Sequence, residues 1–131
     1  TEILFGEMER RGVVLGMGRY DEPRLVYTGP VFRPEGDPLG EGRTVHLGLD
    51  LFVEAGATVL APLDGVVHSV ADNARAYDYG PTVILEHRLE DEPHVFYTLY
   101  GHLSRASIAG LAAGRPIRKG EPIAAVGPCP E

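Results

Sequence analysis

The sequence predicts an all-β fold: antiparallel sheets of short strands in a duplicated-hairpin, barrel-sandwich-like arrangement, with little helix. Three observations point there. Short runs of β-branched, aromatic and aliphatic residues recur from end to end, separated by turn residues. Seventeen glycines and eleven prolines in 131 residues make the chain turn often. Val45, Leu47, Leu49, Leu51 and Val53 alternate with His46, Gly48, Asp50 and Phe52, the period of a strand with one face in a core.

Taken in order, "GVVLGM" (12–17) and "RLVYTG" (24–29) predict the first strands, with Tyr20 to Pro23 as the turn between them. Residues 30–42, "PVFRPEGDPLGEG", carry three prolines and three acids and predict a surface loop. The alternating strand 43–53 follows, its leucines expected to face the core. "EAGATVLAPLDGVVHSVAD" (54–72) predicts a turn, a short strand, a Pro-Leu-Asp-Gly turn and a strand from Gly65 to about Ala71. Residues 73–80 are a polar, tyrosine-bearing loop. "PTVILEH" (81–87) and "HVFYTLYGHL" (94–103) predict a hairpin across the acidic link 88–93. Residues 104–114 hold the one expected helix, a turn or two opened by Ser104. "RPIRKGEPIAAVG" (115–127) predicts a last pair of short strands around a Lys-Gly-Glu turn.

Composition narrows the function. A formal charge of −7 and a pI near 5.2 disfavour nucleic acid and anionic surfaces as partners. A single cysteine, Cys129, excludes an internal disulfide and any Cys-x-x-Cys metal or redox motif. No apolar run approaches the roughly 20 residues of a membrane-spanning helix. The residues before 17 lack the basic head and apolar stretch of a signal peptide. Thr1 and the turn-like "AAVGPCPE" at the other end suggest a piece of a longer protein, cytoplasmic or exported with its leader removed.

The chemistry-bearing candidates are histidines. His46 and Asp50 share one face of the alternating strand. Four residues of extended chain span roughly 13 Å, whereas two ligands of one zinc lie within about 4 Å of each other. The backbone must therefore bend between them, and Gly48 permits it. The string alone is weak support, since a buried histidine and a surface acid give the same pattern. His102 closes an apolar-aromatic strand after Gly101. There it could move a proton for a metal-bound water, or simply be a half-buried ring bonded to backbone. His68 alternates toward solvent, His87 ends a strand and His94 sits in an acidic loop, all three reading as structural. The serines lack a nucleophile-elbow context and no phosphate-binding glycine loop is present.

The order of the pieces is more specific than any one of them. "HLGLDLFVEAGATVLAPLDGVV" (46–67), "GPTVILEH" (80–87), "YTLYGHLS" (97–104) and "GRPIRKGEPIAAVG" (114–127) together resemble the lysostaphin-type zinc metallopeptidases, over residues 43–127. The resemblance implies a small antiparallel β-fold with a groove and one zinc. It places metal ligands on His46 and Asp50 and a catalytic, non-liganding role on His102, assisting the zinc water. It implies peptide substrates such as the glycine- or D-amino-acid-containing cross-bridges of peptidoglycan. The family's final His-x-His strand, which supplies a third ligand, does not occur in this sequence, so the resemblance implies weak zinc binding and no activity for the chain as it stands. It divides the chain into N-terminal strands and an acidic loop (1–42) and a metallopeptidase-like β domain (43–131).

The wording also resembles a branch of the family embedded in cytoplasmic proteins beside phosphotransferase and class III aminotransferase domains. Other domains of a longer chain would then be its partners. Two alternatives remain at this level. One is a non-catalytic module of the same fold inside a multidomain enzyme. The other is a biotinyl- or lipoyl-type carrier, suggested by "APLDGVV" and "RKGEPIAAVG". It is disfavoured because the lone lysine, Lys119, sits in an ordinary turn position.

Overall fold

The computed structural model describes residues 2–29, 32, 44–75, 77–89 and 93–128. The chain forms two compact units, Thr1–Val53 and Glu54–Glu131. Among the described residues the fold is built mostly of antiparallel strands, as the sequence predicts.

The first unit opens with a helix that the sequence analysis did not expect, α1 (Glu2–Arg10). Its signals are modest: an acid in the first turn, a base in the last, and Glu7 paired with both Arg10 and Arg11 one turn on. Met8 is its buried anchor. The strand expected at 12–17 shrinks to β1 (Gly16–Gly18), with Val14 left exposed. β2 (Glu22–Pro23) follows. The strand expected at 24–29 is instead a 3-10 turn, Leu25–Thr28. The reason lies in Tyr27, whose N–H donates to the Arg24 carbonyl at 3.1 Å and whose ring is buried by that turn.

The alternating segment 43–53 is broken where Gly48 stands, into β3 (Val45–His46) and β4 (Asp50–Phe52). β2 pairs with β3, placing Glu22 opposite His46, and β1 pairs with β4, placing Gly18 opposite Asp50. The expected core face is reversed. Leu47, Leu49 and Leu51 are 64%, 59% and 58% exposed, while His46, Asp50 and Phe52 are partly covered. Alternation fixes which residues share a face, but not which face acquires a covering. Here Tyr27 and Arg24 bond to the polar face.

The second unit holds the main core. β5 (Thr58–Leu60), β6 (Gly65–Asn73), β7 (Gly80–Arg88), β8 (Val95–Tyr100), β9 (Pro116–Ile117) and β10 (Pro122–Ala125) alternate with one short helix, α2 (Arg105–Ile108). Four of the strands form one antiparallel sheet in the order β8-β7-β6-β9. β7 is central and buried along most of its length, which is why it reads as a continuous apolar run rather than an alternation. Val67, Val83, Leu85, Leu103, Ile117 and Ile123 fill the core beneath it.

The expected β7–β8 hairpin pairs from Val83 opposite Tyr100 to Arg88 opposite Val95. The last two strands exist but do not pair with each other. β9 joins β6 and β10 joins β5, because the Lys119–Gly120 turn is tied to the Asp64 carboxylate and the Ala61 carbonyl. The helix expected over 104–114 is a single turn. Of the acidic loop 30–42 only Phe32 is described, and Cys129 also lies outside the described residues.

Candidate metal centre

His46 leaves β3 and Asp50 opens β4, with the bend at Gly48 between them. The bend brings His46 Nε2 to 3.4 Å from Asp50 Oδ1, in place of the roughly 13 Å of straight strand. Gly48 is what makes room. A Cβ on it would stand 2.7 Å from His46 Nε2, closer than real Cβ contacts come. Gly18 gives similar clearance on the other side, where a Cβ would meet the Asp50 Cβ at 3.1 Å. The two side chains are 14% and 29% exposed, so both sit at a partly covered surface open to a ligand.

Each is held from behind. The Tyr27 hydroxyl lies 2.8 Å from His46 Nδ1, and the Arg24 guanidinium bonds Asp50 Oδ2. Arg24 also bonds Glu22 at 3.1 Å. Burial draws the Arg24 pKa down, but hydrogen bonding and charge from Asp50 and then Glu22 outweigh it, and the net shift is upward. Arg24 therefore stays cationic at any ordinary pH. Tyr27 and Arg24 carried no signal in the sequence analysis. Nothing in their spacing from His46 or Asp50 marks them, because strand pairing and not sequence distance brings them there.

An imidazole nitrogen and a carboxylate oxygen are ordinary zinc donors. Two donors on one tetrahedral zinc lie roughly 3.3–3.6 Å apart, the separation found here. The pair fits two positions of one zinc. Among the described residues, no group of three or more His, Cys, Asp or Glu side chains is placed to hold a metal.

His102 belongs to the second unit, just past the end of β8. Its side chain is exposed rather than half-buried, and its φ of 55° lies in the left-handed region that non-glycine residues rarely adopt. That conformation is fixed by its N–H donating to the Tyr79 carbonyl at 2.6 Å and its carbonyl accepting from Gly127 N–H at 2.9 Å.

The other histidines have other settings. His87 is fully buried, with Nδ1 2.9 Å from the Asp64 carbonyl and Nε2 2.8 Å from the Thr98 hydroxyl. His68 is exposed, edge-on to Tyr97 at 5.0 Å, and His94 is exposed.

Comparison with known proteins gives a consistent picture. Residues 44–130 match the pattern of Peptidase family M23. A protein of Haemophilus influenzae described as an uncharacterized metalloprotease is 36% identical over 121 residues. That alignment takes in 90% of this chain and 23% of the relative, so the chain spans about a quarter of that protein's length. No solved structure gives a significant match. With two-thirds of its length matched and the His46–Gly48–Asp50 bend inside the match, the chain belongs to peptidase family M23.

Proposed function

We propose that residues 43–131 form a zinc metallopeptidase-like domain in which His46 Nε2 and Asp50 Oδ1 supply two of the metal's protein ligands. The observation that carries this reading is their 3.4 Å approach across a glycine that leaves the nitrogen uncovered. When bound, zinc supplies the Lewis acidity that polarises a scissile carbonyl and acidifies a water. His46 contributes a neutral ring nitrogen and Asp50 a single carboxylate oxygen, its second being engaged by Arg24. By the family resemblance His102 would hold a proton in transit; its side chain is exposed and its backbone is held in the left-handed region. The substrate class is a peptide of the peptidoglycan cross-bridge kind, short and accessible along an extended backbone.

Catalytic zinc normally has three protein ligands, and among the described residues two are placed together. The expected behaviour is weak zinc binding without turnover. A non-catalytic peptidase-fold module is the second reading, favoured by the absence of a third donor among the described residues. Zinc binding and cleavage of glycine-rich peptides, measured together on the chain and its His46→Ala variant, separate the readings. Binding lost in the variant, with no turnover, supports the incomplete metal centre. Turnover by the chain shows that a third donor is supplied. Binding indifferent to His46 leaves the non-catalytic module.

A further inference from the structure

We propose that Tyr27 is a positioning residue for the metal ligand His46, so that the metal centre extends upstream of the family-matched residues 44–130. This rests on the metal-centre reading given above. A histidine that binds metal through one ring nitrogen presents the other to a hydrogen-bond partner, and that partner fixes both tautomer and ring direction. In His46 the nitrogen facing Asp50 is Nε2, and the nitrogen facing Tyr27 is Nδ1. A ring carrying its proton on Nδ1 donates it to the Tyr27 oxygen at 2.8 Å and leaves the Nε2 lone pair directed toward Asp50 Oδ1. Were the hydroxyl to donate to Nδ1 instead, the proton would sit on Nε2 and close it to a metal, so metal binding selects the form in which Tyr27 accepts.

The tyrosine is itself well fixed. It is buried, its ring meets Phe32 edge-on at 4.9 Å, and its N–H closes the turn onto the Arg24 carbonyl. That same turn carries Arg24 at its start, bonded to Asp50 Oδ2. One short turn therefore holds the rear atom of each donor, and the two front atoms, Nε2 and Oδ1, are left facing each other. Glu22, opposite His46 in the β2–β3 pair, completes the arrangement by tying Arg24 in place.

The test is a zinc titration of the whole chain, followed by the ring resonances of His46 so that binding is readable up to the millimolar range. Tyr27→Phe keeps the buried ring and removes only the hydroxyl. It is expected to weaken zinc binding by about 10- to 100-fold, the usual cost of losing an outer partner of a ligand. In the metal-free protein it should also shift the His46 Nδ1 resonance, while the backbone amide spectrum outside residues 22–50 stays in place. Tyr100→Phe, which removes a hydroxyl in the second unit, should leave zinc affinity unchanged. Equal affinity in Tyr27→Phe and the native chain overturns the positioning role alone. Weakened affinity accompanied by widespread amide changes also overturns it, because the tyrosine would then be acting through the fold. No response of His46 to zinc in the native chain overturns the metal-centre reading and takes this proposal with it.

Discussion

A Cβ placed on Gly48 would stand 2.7 Å from Nε2 of His46, so the missing side chain of one residue leaves the Nε2 edge of the other open. Gly48→Ala should push the imidazole aside or straighten the bend. Zinc affinity is expected to fall about 10-fold or more, by analogy with the cost of disturbing a ligand's support. The fold of the second unit should be unchanged by circular dichroism. An alanine variant that binds zinc as the native chain does would show that the bend has another cause.

With a neutral ring, His87 carries a chain of hydrogen bonds that has one consistent direction. Its Nδ1–H donates to the Asp64 carbonyl, which cannot donate in return, so Nε2 accepts from the Thr98 hydroxyl, which accepts from Tyr100. Thr98→Val keeps the shape and strands both neighbours. The expected loss is about 1–3 kcal/mol in urea unfolding. A loss under about 0.5 kcal/mol would mean that water takes the hydroxyl's place.

The Tyr100 pKa is raised, by burial of the phenol against a smaller downward pull from its hydrogen bond to Thr98. A group holding its proton more tightly in the folded state than in the unfolded chain contributes stability that is complete below the unfolded pKa, about 10. That contribution is lost as pH rises through the folded value. Stability should therefore decline above about pH 10, with a shallower decline in Tyr100→Phe. Equal slopes in chemical unfolding between pH 9 and 11.5 would contradict this (about one proton separates the two expectations).

Leu85 is fully buried at the centre of β7, whereas the Arg105–Asp72 ion pair is exposed. Leu85→Ala should cost about 2–5 kcal/mol of the second unit's stability. Asp72→Asn should cost under about 1 kcal/mol. Comparable losses in the two variants would mean that the sheet's stability does not rest on this core.

The second unit was largely legible in the sequence, because its signals are local. β7 is continuous and apolar as central strands are, and β6 and β8 flank it at hairpin distances. A bend at Gly48 follows from reach once His46 and Asp50 are taken as ligands of one zinc. The first unit is less legible, because its contacts are not local. Helix α1 gives little sequence signal because Met8 is its buried residue, and the 24–29 run reads as a strand because Leu25, Val26, Tyr27 and Thr28 are β-prone. What decides their conformation is tertiary: Tyr27 turns inward to His46, and Arg24 reaches Asp50. The covered face of 45–53 was inverted for the same reason. A period of two cannot tell which face a distant tyrosine and arginine will reach.

The proposed metal centre stands or falls on whether His46 and Asp50 bind the same zinc. Calorimetric zinc titration of the chain beside His46→Ala and Asp50→Ala tests it most directly. One zinc per chain, bound weakly and lost in both variants, is the expected result. Binding that survives both substitutions would contradict it.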